Sequence, residues 1–186
     1  MILALTDRRY LRQTIDVVGD DAHIWAFPPM TAGRLGPADL EGYDLVYIDL
    51  HGEPSGGYLY TFDNTPALSF QTVRQATLES VLVVATTCYL PQSPFLSAFQ
   101  DAGAAVIAGD GPNYGEDDRG AARGAQLLAQ SVIRRVIAGE SPKAAFVQAR
   151  QMLRYSWRRW LDPKATADTL KFEFYGGPDD EAKSVV

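Results

Sequence analysis

Apolar and polar positions group into short blocks along the 186-residue chain, and their spacing predicts strands and helices in turn. Ile2–Leu5 reads as a first strand, and RYLRQTIDVVG, Arg9 to Gly19, as a helix ended by glycine. His23–Phe27 is a second strand, followed by a loop rich in Pro and Gly over 28–42. Leu45–Leu50 is apolar on both faces apart from Asp49, the pattern of a strand inside a parallel sheet. After His51, the glycines and prolines of GEPSGGYLYTFDNTP mark turns, with YLYTF as one arm of a short hairpin. Ser69 caps a helix, SFQTVRQATL. Ser80–Cys88, SVLVVATTC, carries the strongest strand signal in the chain. SPFLSAFQDAG is a helix that Gly103 closes, and Ala104–Gly109 is a fifth strand.

Two longer helices follow. The first runs from about Gly120 to Ala138, with Leu128, Val132, Val136 and Ile137 on one stripe. The second starts at Ser141-Pro142, and its stripe is Ala145, Phe146, Ala149, Met152, Leu153 and Trp157. In LKFEFYG, Leu170, Phe172 and Phe174 alternate with Lys171 and Glu173, so one face is wet and the strand belongs at an edge. This alternation predicts one α/β domain over 1–186, a doubly wound, mostly parallel sheet of about six strands with helices on both faces. Residues 178–186 read as a loose acidic tail.

Composition narrows the function classes. Apolar residues make up 46% and charged residues 22%, which is globular. A net charge of −6 argues against a general grip on nucleic acid. Trp157 and Trp160 with Arg154, Arg158 and Arg159 therefore read as helix packing plus a solvated face. A single cysteine excludes an internal disulfide and suits a reducing, cytoplasmic compartment. One cysteine and two histidines do not make a structural zinc site of the Cys/His kind, and no metal or cofactor is expected. MILALTDRRY is too short in its apolar part for a signal peptide, and no stretch approaches the roughly 20 apolar residues of a membrane helix.

In such a sheet, ligands gather beyond the carboxyl ends of the strands. His51 and Cys88 end consecutive predicted central strands. Neighbouring strands lie about 4.8 Å apart, so two side chains there converge. A thiolate is a strong nucleophile, and an imidazole beside it takes the thiol proton and later hands it to a leaving group. Gly52 lets a backbone approach closely, and its N–H with that of Cys88 forms an oxyanion hole. His23, near Asp20 and Asp21, is read as structural.

These blocks carry a resemblance. HG after one apolar strand and TTC after the next resemble the His-Gly and Cys blocks of caspase-like cysteine peptidases, most closely the CHAT group, with relatives in gingipains and separases. ALSFQTVRQATLESVLVVATTCYL, FLSAFQDAGAAVIAGD, LLAQSVIRRVIAGESPKAAFVQARQML and FEFYGGP are similar to the family's successive blocks over roughly residues 40 to 178. The resemblance implies a cysteine endopeptidase acting on proteins or peptides, with His51 as general base and acid, Cys88 as nucleophile, and the amides of Gly52 and Cys88 as oxyanion donors. The chain departs from the family's pattern at Thr87, where Ala is common, and at Gly177, where Asp is common. Class I glutamine amidotransferases pair Cys and His on similar sheets, but there Cys precedes His in a glycine-rich turn.

Many relatives cut after Arg or Lys, with an acidic residue in the pocket. Asp49 points the same way as His51 along the strand, and either orients the imidazole or lines a pocket. Asp110, after the fifth strand, is the favoured partner for a basic side chain. Glu53, Glu116, Asp117 and Asp118 fall on loops near the same rim. Relatives are often held inactive until a partner, an attached domain or a ligand rearranges the loops. A separate activator or an oligomer is therefore expected here, with loops 53–66 and 110–119 as the movable parts. Two other readings stand beside this one: a catalytically silent caspase-like module that binds a partner, and a plain α/β ligand-binding domain with a buried cysteine. Nucleotide binding has little support, because no Gly-rich phosphate loop is present.

Overall fold

Both faces of the central strands are apolar because both are covered. In the computed structural model, which describes residues 1–113, 124–155, 167 and 169–176, the strands are β1 (Ile2–Asp7), β2 (His23–Phe27), β3 (Leu45–Asp49), β4 (Tyr58–Tyr60), β5 (Pro66–Ser69), β6 (Leu82–Ala85), β7 (Ala105–Gly109) and β8 (Phe172–Tyr175). The helices are α1 (Leu11–Val18), α2 (Phe70–Gln75), α3 (Pro94–Asp101), α4 (Gly124–Ile137) and α5 (Pro142–Tyr155). Six strands form one sheet in the order β2-β1-β3-β6-β7-β8. All pairs are parallel except β7 with β8. This is the predicted doubly wound sheet, with β8 at the edge as its wet face requires.

Alternation along the strands feeds two cores. Val83, Ala85, Val46 and Ile48 pack with Val73 of α2 and with Phe95 and Phe99 of α3. Leu82, Val84, Leu45 and Tyr47 pack with Val17 of α1, Leu128 and Val132 of α4, and Phe146 and Ala149 of α5. Fully burying side chains such as Phe95 and Phe99 contributes about 1.5–3 kcal/mol each.

Some expectations shift by a turn or less. Asp7 accepts the Arg9 N–H at 2.8 Å and starts a 3-10 turn over Arg8–Tyr10, so α1 itself begins at Leu11. Ser69 caps α2 as expected, but α2 stops at Gln75. Tertiary bonds take the following amides: Thr77 N–H donates to Glu41 and Leu78 N–H to the Ala102 carbonyl. Ile137 and Met152, placed on buried stripes, are 64% and 50% exposed. In α4 the buried set is Ala125, Leu128, Ala129, Val132 and Ile133, and Ile137 falls one step off it beside the closing turn. Trp157, Trp160, Arg158, Arg159 and the 178–186 tail lie outside the described residues, as do Glu116, Asp117, Asp118 and Gly177. Among the described residues no helix is long and apolar enough to cross a membrane.

The topology decides where a ligand goes. From β1 the chain builds outward to β2 on one side and to β3, β6 and β7 on the other. The crevice beyond the carboxyl ends of β1 and β3 is therefore the switch point of the sheet.

Candidate active site

β3 ends at Asp49 because the chain there changes partners. Two residues on, the His51 N–H donates to the Tyr60 carbonyl and the Tyr60 N–H to the His51 carbonyl, both at 2.8 Å. This bridge joins the β4–β5 hairpin to the end of β3 and fixes the His51 backbone. YLYTF is thus a hairpin arm, as its turns predicted. The imidazole lies in the switch-point crevice. Its Nε2 is 3.3 Å from the Tyr10 hydroxyl, and its ring stands edge-to-face on Phe62 at 5.6 Å between centroids. Phe62 is held in turn, since its N–H donates to Asp7 Oδ2 at 2.5 Å and the Arg9 guanidinium lies 4.0 Å from its ring centroid.

Cys88 lies in a turn three residues beyond β6, which is shorter than the predicted Ser80–Cys88. The ladder stops near Ala85 because the paired register with β3 and β7 ends there. The Thr86 and Thr87 carbonyls find a donor elsewhere, in the side-chain amide of Asn113, at 3.2 and 2.9 Å. The Asn113 N–H donates to Cys88 Sγ at 3.2 Å. Tyr89, just after the cysteine, takes left-handed backbone angles and donates its N–H to the Gly111 carbonyl at 3.0 Å.

Gly52 meets the cysteine turn directly. A Cβ at Gly52 would fall on the Cys88 carbonyl oxygen and lie 2.6 Å from Thr87 Cγ2. Among the described residues the Gly52 N–H has no protein partner. Thr87 is fully buried, with its methyl toward Gly52 and its hydroxyl unpartnered among the described residues.

His51 and Cys88 line one cavity of about 70 Å³. Tyr10, Asp49, Asn113 and Gln126 contribute to its wall. Asp49 is 7% exposed and accepts from the Thr86 hydroxyl and the Gln126 amide, each at 2.9 Å. Burial pushes its carboxyl pKa up, against the opposing effect of these hydrogen bonds and of the nearby His51. Beneath it, burial and the Asp49 charge push the Tyr47 hydroxyl well above its ordinary value. The side-chain oxygens Oδ1 of Asn113 and Oε1 of Gln126 are buried and have no partner among the described residues.

Asp110 lies elsewhere on the rim. It is exposed, accepts from the Gln92 amide at 2.6 Å, and is not part of the cavity wall. His23 is engaged at the β2 edge, with Tyr43 at 2.5 Å and Trp25 at 3.0 Å, away from the cavity. Sequence reasoning missed Tyr10, Asn113 and Gln126. Tyr10 follows the end of β1 and Asn113 the end of β7, so the carboxyl-end rule applied to every strand would have marked both. Gln126 carries only the weak signal of an amide on a buried helical stripe.

No protein-family model and no curated protein matches the chain. Solved structures do match. The complex of Porphyromonas gingivalis RgpB pro- and mature domains aligns with a TM-score of 0.60 at 12% identity, over 96% of this chain and 47% of that one. The Arg-specific cysteine proteinase gingipain R (RGPB) aligns with a TM-score of 0.57 at 13% identity, over 95% and 46%. At such identity the likeness is one of fold: a six-stranded, mostly parallel sheet of the caspase-like gingipain type. The chain spans about half the length of these structures.

Proposed function

We propose that the chain is a caspase-like cysteine endopeptidase of the CHAT kind, in which Cys88 and His51 form the working pair. One observation carries this reading: Cys88 and His51 line a single cavity at the carboxyl rim, in a fold whose solved neighbours include a cysteine proteinase. The Cys88 thiolate attacks a peptide carbonyl, and the developing oxyanion is met by the N–H groups of Gly52 and Cys88. His51 donates a proton to the departing amine and leaves a thioester. It then takes a proton from water, and the resulting hydroxide frees the acid product and the thiol.

The acidic and amide groups of the cavity favour a basic side chain at the cleavage site. Asp49 is a carboxyl group, and the unpartnered oxygen of Gln126 is an acceptor only. A guanidinium or ammonium supplies the donors they lack. Asp110 stands at the rim as a second acid. The cavity of about 70 Å³ is far below the roughly 300 Å³ at which ligand pockets begin. The described arrangement therefore fits a resting form that a separate activator, a ligand or self-association opens.

Hydrolysis of reporter peptides ending in Arg, Lys, Asp or Leu tests the reading. Cleavage after Arg or Lys that Cys88→Ala abolishes is the expected result. A preference for Asp or Leu discards the basic pocket. A catalytically silent partner-binding module is the second reading, favoured by hydrogen bonds of Sγ to Asn113 and of Nε2 to Tyr10. Alkylation separates the two: an activated Cys88 reacts well below pH 8 and loses that advantage in His51→Ala.

A further inference from the structure

We infer that Asn113 is a positioning residue for the sulfur, fixing both where Cys88 stands and which protonation state it favours. The inference rests on the proposed role of Cys88, which supplies its use, but its geometry stands on contacts of the thiol itself. Beyond the end of β6 the Thr86 and Thr87 carbonyls have left the strand ladder. One side-chain amide, Asn113 Nδ2, donates to both. The residues just before the nucleophile are thereby tied to the loop after β7, and the Tyr89 N–H ties the residue just after it to Gly111 in the same loop. Cys88 is bracketed on both sides.

The main chain of Asn113 reaches the sulfur as well. Its N–H lies 3.2 Å from Sγ, and its carbonyl oxygen 3.8 Å from Sγ. A thiol proton has the carbonyl as acceptor, and a thiolate has the N–H as donor. The donor contact is the shorter of the two, and hydrogen bonding to the charged form lowers a pKa. The side chain accounts for the choice of residue. A Cβ at Gly109 would come within 2.9 Å of Asn113 Oδ1 and meet the ring of Phe172, so the amide lies close against the Gly109 backbone, where only glycine leaves it room. Aspartate has the same shape but would turn an acceptor oxygen toward both carbonyls, in place of the donor that now serves them.

Iodoacetamide alkylation of Cys88 between pH 5 and pH 10, in the full chain, tests this. Asn113→Ala and Asn113→Asp are each expected to move the midpoint upward by about one unit and to slow alkylation at pH 7 about tenfold, as the thiolate fraction falls. In the intact chain, without any substitution, the Asn113 amide resonance is expected to titrate with the midpoint of Cys88 alkylation. This second measurement serves where a variant does not fold. An unchanged alkylation profile in folded variants, or an Asn113 amide resonance indifferent to the thiol, overturns the inference. His51→Ala runs in parallel to keep the two ideas apart. If that substitution changes neither alkylation nor hydrolysis while the Asn113 variants shift the midpoint, the Cys–His pair fails and this inference survives. The opposite pattern overturns the role of Asn113 and leaves the pair intact.

Discussion

Gly52 lies so close to Cys88 that no side chain fits between them: a Cβ would fall on the Cys88 carbonyl oxygen. The glycine after His51 therefore sets the distance between the segment that carries His51 and the one that carries Cys88. The sequence reading expects Gly52 to approach a substrate closely; in the structure its backbone also closely approaches the turn that carries Cys88. Gly52→Ala must push one segment away from the other. Overpacking of this kind costs about 1–3 kcal/mol. The expected outcome is a lowered melting temperature together with loss of peptide hydrolysis. A stable, fully active alanine variant rules out the tight contact.

Tyr10 holds the imidazole of the proposed pair. Its hydroxyl, 3.3 Å from His51 Nε2, either donates to an unprotonated nitrogen or accepts from a protonated one, so it follows the imidazole through a proton cycle. Tyr10→Phe keeps the ring and loses the bond. Loss of a single hydrogen bond costs about 1 kcal/mol of stability. A drop of about tenfold in kcat with KM nearly unchanged is expected, since a positioning defect of that size acts on the chemical step. An effect confined to KM shows that the hydroxyl serves substrate binding instead.

The sheet was legible because burial on two faces leaves an unbroken apolar run, and Leu45–Leu50 and Val81–Ala85 have no other physical use. His51 and Cys88 were legible because each follows such a run directly. The bonds around them were not. Asn113 and Tyr10 sit in GDGPN and TDRRY, polar stretches whose partners are fixed only when β1, β3, β6 and β7 come together. Ile137 and Met152 misled because a helical stripe read from hydropathy does not say which of two adjacent apolar positions faces the sheet. Asp49 was visible as the one polar residue of its strand, but its choice between orienting His51 and lining a pocket depends on Thr86 and Gln126, which contact it from β6's end and from α4.

Asp110 and Asp49 separate by position, and substitution tells them apart. Asp110 is exposed and bonded to Gln92, whereas Asp49 stands in the cavity wall. Asp49→Asn is expected to cut the preference for Arg over Leu at the cleavage site by about tenfold or more, as loss of a buried charge partner does. Asp110→Asn is expected to change it by less than about threefold, because exposed ion pairs contribute little. Reversed magnitudes, read as ratios of kcat/KM, assign the pocket to Asp110.

The same substitution at Asp49 also carries a stability signature with a definite sign. Burial holds the folded carboxyl pKa above its unfolded value of about 3.9. Between those two values the folded state binds more protons than the unfolded one, so stability falls as pH rises through that window. Below the unfolded value the carboxyl is protonated in both states and the penalty is absent, and above the folded value the penalty is complete. Asp49→Asn cannot ionise. The Thr86 hydroxyl still finds an oxygen, and a turn of the Gln126 amide lets its unpartnered Oε1 accept from the new side-chain N–H. The variant is expected to melt higher than the parent at pH 7. The gap should close as pH is lowered toward 4. A variant that melts lower at pH 7, or a gap that does not vary with pH, shows that Asp49 is held as a stabilising anion rather than kept at a cost for its place beside His51.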